Sequence, residues 1–249
     1  MRHSLQASYI LHSRPYRNTS KLLDIFSREQ GRRVLVARGA RKEKSRLQGH
    51  LQPFVPLLLS WQGSGEVQTM TAAESNAQAV PLSGEKLLTA FYLNELLLRL
   101  LAKNDPHPDL YDAYAQTLKN LSESSTQGEA HLRIFECFLL QELGYGLVLD
   151  HDVETGEALQ SEQGYCYQPE YGPVKRSGRE CEQGLLVDGA TLLALQSGYL
   201  ALHNSEDEKQ RKILREAKQL MRMSLARHLG NRPLKSRELY RQQKQLLKL

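Results

Sequence analysis

The sequence predicts an α+β chain: an N-terminal five-stranded β-barrel, then a helical bundle interrupted by a small β-rich lobe. Three observations carry this. Over the first eighty positions the apolar residues fall in short runs divided by turn chemistry. From Gly84 the apolar period lengthens to that of a helix. Residues 148–189 lose both periods and are rich in Gly, Glu and turn residues. The resulting division is 1–80 for the barrel, 81–147 for the first part of the helical domain, 148–189 for the lobe and 190–249 for the C-terminal helical part.

The expected strands are Leu5–Pro15, Ser20–Ser27, Arg32–Gly39, Leu51–Trp61 and Glu66–Ser75. Arg-Pro-Tyr-Arg-Asn, Glu-Gln-Gly, a long basic loop and Gln-Gly-Ser-Gly separate them. Five short strands with one longer loop between the third and fourth are the count of an OB-type barrel, a count shared with SH3-like barrels and small sandwiches. Pro53 and Pro56 weaken the fourth strand, because proline cannot donate to a ladder.

"GEKLLTAFYLNELLLRLLAKN" has leucines on almost every face, the mark of a helix buried among others. "DLYDAYAQTLKNL" places Leu110, Tyr114, Leu118 and Leu121 on one stripe. "EAHLRIFECFLLQELGYG" does the same with Leu132, Phe135, Leu139 and Leu143 before Gly144 stops it. Helical spacing returns in "ATLLALQSGYLALHN" and in "EDEKQRKILREAKQLMRMSLARHLG", where acids lead and bases crowd the end. Ser236 is the expected N-cap of a last helix, "RELYRQQKQLLKL".

A chain of 249 residues with 40% hydrophobic and 24% charged residues can bury a core without covalent staples. No apolar run approaches the roughly 18 residues that span a bilayer. The start has no apolar stretch followed by a small-residue cleavage site. Cys137, Cys166 and Cys181 are odd in number and widely spaced, with no CxxC pair. They argue against a disulfide framework and for a reducing, cytoplasmic compartment.

The common nucleotide-binding, hydrolase and zinc-protease signatures are missing. Asp105, His107 and Asp109, and Asp150, His151 and Asp152, set carboxylates beside a histidine, as a metal-dependent DNA-processing enzyme could use. Their plainer reading is a helix start for Asp109 and a solvated turn for Asp150 to Asp152. His151, Cys166 and Cys181 are three unpaired candidates where structural zinc wants four ligands, so both cysteines read as incidental thiols and no metal is assigned.

The net charge of +5 matters through its distribution. Bases concentrate between Arg28 and Arg46 and from Lys209 onward, with an acidic stretch between. In "GRRVLVARGARKEKSRLQGHLQPF" a short apolar strand runs into Arg38, Arg41, Lys42, Lys44 and Arg46, offset only by Glu43. A run of bases is usually a solvated face. In a loop of a barrel that binds nucleic acid through loops and one strand face, it can neutralise phosphates and release counterions. Tyr16 and Trp61 could stack on unpaired bases, or serve as barrel core or cap.

The ordered set "YILHSRPYRNTSKLLDIFSREQGRRVLVARGARKEKSRLQGHLQPFVPLLLSWQGSGEVQTM", "FYLNELLLRLL", "HPDLYDAY", "LRIFECFLLQELGYGLVLD" and "PLKSRELYRQ" resembles the RecO family of bacterial DNA repair proteins over most of the chain. The resemblance implies an OB barrel, a helical domain and a zinc-finger-like lobe that carries four cysteines in some lineages. This sequence lacks the four-Cys pattern, so the lobe carries over and the metal does not. It also implies a cytoplasmic, nucleoid-associated protein without cofactor or catalysis. Such a protein binds single- and double-stranded DNA, anneals complementary strands, and acts with RecR to load RecA recombinase onto DNA coated by single-strand binding protein. The coat protein's acidic, apolar-ended C-terminal tail would enter a pocket of the helical domain.

On these positions the DNA-binding residues become Arg14, Tyr16, Arg17, Arg32, Arg38, Arg41, Lys42, Lys44 and Arg46. The tail site becomes Arg133, for the carboxylate, with Phe135, Leu139 and Leu93 as apolar walls. Outside the resemblance, a helical adaptor whose charge serves only solubility remains in view.

Overall fold

The computed structural model describes residues 2–45, 47, 49–75, 79–123, 128–176, 181, 184–198 and 207–246. These fall into two compact units, residues 1–122 with 233–249 and residues 123–232. The expected helical domain is thereby divided: its first two helices and its last group with the barrel, and the rest with the lobe.

The first unit is built on β1 (Arg2–Tyr16), β2 (Ser20–Ser27), β3 (Gly31–Ala37), β4 (Leu57–Gln62) and β5 (Val67–Ser75). They close in the order β1-β2-β3-β5-β4, with β4 returning to β1, and the β3–β5 pair is parallel. This is the OB barrel. Strand β1 pairs with both β2 and β4, and irregularities at His3–Gln6 and Ile10–His12 bend it enough to do so. The fourth strand starts at Leu57, after Pro56, and Pro53 makes only an isolated bridge to Ile10, so the prolines shorten the expected strand from its N-terminal side.

Alternation sets the core. Leu23 and Ile25, Leu35 and Ala37, and Leu57, Leu59 and Trp61 point inward with Ile10 and Met70. A fully buried aliphatic side chain stabilises by about 1.5–3 kcal/mol. Trp61 is 0% exposed, so of its two readings the barrel core holds and the stacking platform does not: the period-2 pattern of β4 turns it into the barrel. The outer faces of β1 and β2 are also covered. Tyr9 and Phe26 meet Tyr111 and Tyr114 of α2 (Pro108–Glu123) at ring separations of 5.1–5.5 Å.

Helix α1 (Gly84–Leu100) ends four residues before the expected limit at Asn104, with Leu101 as its C-cap. The chain then runs beside β3, where the Asn104 amide donates to the Arg32 carbonyl at 3.0 Å. Gly31 permits this approach. Its φ is +66°, and a Cβ there would lie 2.1 Å from the Asp105 carbonyl oxygen. The last helix, α6 (Lys235–Leu246), packs on α1. Ser236 lies inside α6 and does not cap it; the cap is the Glu95 carboxylate of α1.

The second unit holds α3 (Gly128–Glu142), a sheet in the order β7-β6-β8, α4 (Gly189–Gln196) and α5 (Glu208–Leu229). The strands are β6 (Gly164–Gln168), β7 (Gly172–Lys175) and β8 (Leu185–Asp188). Gly144, at φ +80°, closes α3, where the Gly144 amide donates a hydrogen bond to the Gln141 carbonyl and the Tyr145 amide to the Leu140 carbonyl. Tyr165 and Tyr167 of β6 pack with Leu192, Leu195, Ala217 and Leu220 in the core of this unit. The expected helix after Ala190 is formed as far as Gln196; its part from Tyr199 to Asn204 lies outside the described residues.

Two readings of the lobe are corrected. Asp152 is 3% exposed, not solvated, and accepts the amides of Glu154 (2.8 Å), Thr155 (3.1 Å) and Lys175 (2.6 Å), so it ties the turn to β7. Burial opposes its ionised form, but these donors hold its carboxyl below the usual range. Cys166 and Cys181 are not incidental thiols; they form a disulfide across 15 residues of sequence, and Gly184 leaves room for both sulfurs.

Candidate nucleic-acid interface

At one side of the barrel, three segments enclose a cleft of about 590 Å³. The β1–β2 turn contributes Tyr16, Arg17, Thr19 and Ser20. The end of β3 and the loop after it contribute Val36, Arg38, Gly39 and Lys42, and β5 contributes Val67 and Thr69. Local chemistry fixes the shape. Arg17 takes a positive φ of +51° in the turn, and Gly39, at φ +68°, turns the chain off β3. The Arg41 amide donates to the Thr19 carbonyl at 2.9 Å, binding the basic loop to the β1–β2 turn. The Arg17 guanidinium lies 5.3 Å from the centre of the Tyr16 ring, a cation–π contact at the cleft wall.

Four of the nine expected DNA-binding residues, Tyr16, Arg17, Arg38 and Lys42, therefore line one cleft. Arg14 and Lys44 are exposed outside its lining, and Arg41 is exposed while its guanidinium reaches the Arg17 carbonyl at 3.4 Å. Arg32 points elsewhere. Its Nε donates to the Leu101 carbonyl at 3.1 Å, Asp24 lies 3.9 Å away, and its side chain is 16% exposed, so it works as a strut. Arg46 lies outside the described residues.

Arg14, Arg17, Arg38, Lys42 and Lys44 have no carboxylate partner among the described residues. On α5, by contrast, Lys212 pairs with Asp188 and Glu216, Lys218 with Glu129, and Arg227 with Glu170. The barrel cluster thus presents uncompensated charge, which is what a polyanion displaces counterions to reach.

Sequence reasoning missed Thr19, Ser20, Val36, Val67 and Thr69. The signal was present in β5: Gln68 and Met70 are 4% and 7% exposed and face inward, so Val67, at 50%, and Thr69 must face out.

The expected tail residues are all interior. Arg133 is 4% exposed, and its Nη1 lies 2.6 Å from Oε2 of Glu136 one turn on. Phe135, Leu139 and Leu93 are 1%, 0% and 0% exposed. Leu93 belongs to the first unit and the other three to the second. In this conformation these side chains present no surface to a peptide, because the apolar stripes that suggested them are the stripes that pack.

The acid–histidine groups do not converge. Asp105 is 3.4 Å from His107, Asp150 is 2.7 Å from His151, and Asp109 sits in the first turn of α2. Among the described residues no three His, Cys, Asp or Glu side chains are grouped to hold a metal ion. Burial, and secondarily Glu136, push the Cys137 thiol up to about 11, which keeps it protonated and a poor nucleophile at neutral pH. No helix among the described residues is long and apolar enough to cross a membrane.

Comparison with known proteins fits this architecture. Residues 1–78 match the family model "Recombination protein O N terminal", and residues 81–238 match "Recombination protein O C terminal". A DNA repair protein RecO of Nitrosococcus oceani is 46% identical over 246 residues, covering 99% of this chain and 96% of its own. That of Alkalilimnicola ehrlichii is 46% identical over 239 residues, covering 96% and 91%. That of Nitrosospira multiformis is 42% identical over 247 residues, covering 98% of both. With both family models matched in order and relatives this similar over nearly the full length, the chain belongs to the RecO family of DNA repair proteins.

Proposed function

We propose that this protein is a recombination mediator that binds single- and double-stranded DNA at the barrel cleft and anneals complementary strands. The observation that carries the reading is the convergence of Tyr16, Arg17, Arg38 and Lys42 on one cleft whose bases lack carboxylate partners among the described residues. Phosphates would sit against Arg17, Arg38 and Lys42, with Arg14, Arg41 and Lys44 extending the positive surface. The Tyr16 ring and the exposed Val67 offer an apolar wall to an unstacked base. No bond is made or broken in this role. Charge neutralisation lets two strands approach, and bases held away from their own stack are free to pair.

Family membership supports the wider assignment: action with RecR, recognition of the single-strand binding protein tail, promotion of RecA loading, and a cytoplasmic, nucleoid-associated location. The burial of Arg133 and Phe135 directs the search for the tail site to other, exposed residues of the chain. The test is fluorescence anisotropy of a labelled single strand titrated across a salt series, with a labelled tail peptide in parallel. DNA binding that weakens steeply with salt supports the mediator reading. Failure to bind DNA at moderate salt removes it and leaves the adaptor.

A further inference from the structure

The small sheet of the second unit has two unlike faces. Tyr165 and Tyr167 of β6 and Val187 of β8 point into the core and are buried. The residues between them alternate to the other face. There Cys166 stands in the middle of the sheet, opposite Val174 of β7 and Leu186 of β8, and Leu186 is 47% exposed. The disulfide to Cys181 is made on this outer face, by the chain that connects β7 to β8. Both cysteines are half-buried, so the bond is not sealed inside the unit.

Three features set this bridge apart from a structural staple. Strand β6 is paired with β7 on one side and β8 on the other, and its tyrosines pack with Leu192, Leu195, Ala217 and Leu220, so the sheet and its core stand without the bond. Cys137, the remaining cysteine, packs with that core on the inner face, and burial pushes its thiol up to about 11, so it does not compete for either sulfur. Once opened, the pair has no metal to hold. Among the described residues no third His, Cys, Asp or Glu side chain joins it, where structural zinc needs four ligands. Gly184 brings the connection close to both sulfurs: a Cβ there would lie 2.8 Å from that of Cys166 and 2.9 Å from that of Cys181.

We propose that Cys166 and Cys181 are a reversible thiol–disulfide centre, opened by a dithiol reductant and closed by a peroxide, that sets how firmly the connection between β7 and β8 is held to the sheet. Each direction moves two electrons. A thiolate of the reductant attacks one sulfur of the bridge, and the other cysteine leaves as a thiolate and takes up a proton. The reductant's second thiol then displaces the first cysteine from the mixed disulfide, so the protein gains two thiols and the reductant a disulfide. In the reverse direction a cysteine thiolate attacks a peroxide oxygen and becomes a sulfenic acid, and the second thiol displaces its hydroxyl as water to form the S–S bond. With hydrogen peroxide, two thiols and one peroxide give one disulfide and two waters. Closed, the connection is fixed at Cys181 as well as at its ends. Open, it is tethered only where the Arg176 amide donates to the Gly164 carbonyl at 3.0 Å and where β8 begins.

The test uses the full chain purified without reductant, and reads thiol labelling by mass together with hydrogen exchange. It contains no nucleic acid, so its outcome is independent of the DNA-binding reading. Dithiothreitol or a thioredoxin, added to the folded protein, should release the two thiols of the bridge. Exchange of the β8 amides and of the Arg176 amide should accelerate by up to about a hundredfold, the scale of loop-closure entropy for a loop of this length. Helices α3 and α5 should keep their protection. Hydrogen peroxide, added once the reductant is removed, should restore the bridge within one chain and reverse the exchange. C166A/C181A should exchange like the reduced chain and respond to neither reagent. A bridge that opens only in denaturant overturns the proposal, and so does a reduction that also strips α5 of protection, since either makes the bond a structural staple. Peroxide that leaves the thiols free, carries them to sulfinic acid or joins two chains overturns it as well. A double variant as well protected as the oxidised chain would show that the bond does not order the connection, and would overturn it too.

Discussion

The Glu95 carboxylate of α1 caps α6 through Ser236. It accepts the Ser236 amide at 2.9 Å and the Ser236 hydroxyl at 2.7 Å, and takes the Lys235 amide at 2.9 Å as well. One side chain thus satisfies two of the helix's unpaired donors and places negative charge at the positive end of its dipole.

The consequence is a pH-dependent dock for α6. Half-burial of Glu95 opposes ionisation, but the Ser236 and Lys235 donors outweigh it, and the folded-state pKa is lowered from 4.5. A carboxylate whose pKa is lowered by folding stabilises the fold above its unfolded value, and that contribution disappears as pH falls through the folded value. Hydrogen exchange of α6 amides is therefore expected to accelerate below about pH 4.5, relative to other helices of the first unit. Glu95→Gln should destabilise by about 0.5–2 kcal/mol at neutral pH and flatten this acid dependence. Protection of α6 that is identical in the two proteins across the pH range would show that the cap is not what holds the helix.

Arg32 and Arg38 lie at opposite ends of β3 and have opposite fates, which makes them a matched pair for the DNA reading. Arg17, Arg38 and Lys42 replaced together by alanine should make the salt slope of duplex binding shallower by up to about 2.7, from three contacts at about 0.9 each. Arg32→Ala should leave the slope unchanged and lower the melting temperature instead, because it removes the strut to Leu101. A slope that responds to Arg32 and not to the cleft triple would place the DNA on another face of the barrel.

The disulfide gives a count that can be read directly. The chain has three cysteines, and Cys137 is the free one. In denaturant without reductant, one thiol per chain should react with a maleimide, and after reduction three. In the folded protein Cys137 should react slowly even when accessible, because burial raises its pKa to about 11 and leaves little thiolate. Three thiols titrated in denaturant before any reductant would mean that Cys166 and Cys181 are not joined.

How far the sequence was legible depended on whether a feature was local. The five strands and the helices were carried by periodicity, and Pro56 and Gly144 by backbone chemistry that acts within a few residues. The grouping of elements into units was not visible, because it rests on long-range contacts such as Glu95 with Ser236, which are 141 positions apart. The cleft was half legible. A cluster of bases can be counted from the sequence, but the outward direction of Arg38 and the inward direction of Arg32 depend on where Leu101 and Asp24 come to lie. The tail residues failed for a related reason: Phe135, Leu139 and Leu93 were chosen from stripes, and a stripe marks the packed face unless something exposes it.

Asn94 offers the sharpest test of what joins the barrel to its helices. It is 2% exposed; its Nδ2 donates to the Leu11 carbonyl of β1 at 2.9 Å, and its Oδ1 accepts the Tyr114 hydroxyl of α2 at 2.6 Å. Tyr114 is 0% exposed, so its hydroxyl depends on this bond or on other buried partners. Asn94→Leu keeps the volume but takes one bond from each partner, and a buried polar group left without its bond costs about 1–3 kcal/mol. Tyr114→Phe alone should cost less, because it strands only one atom of Asn94. In the double variant the hydroxyl and its acceptor are gone together, leaving the Leu11 carbonyl as the remaining loss. The two changes should therefore be subadditive by about 1 kcal/mol or more in a denaturation cycle. If they simply add, the Asn94 to Tyr114 bond contributes nothing, and the aromatic contacts of Tyr9 and Phe26 with α2 hold barrel and helix together without it.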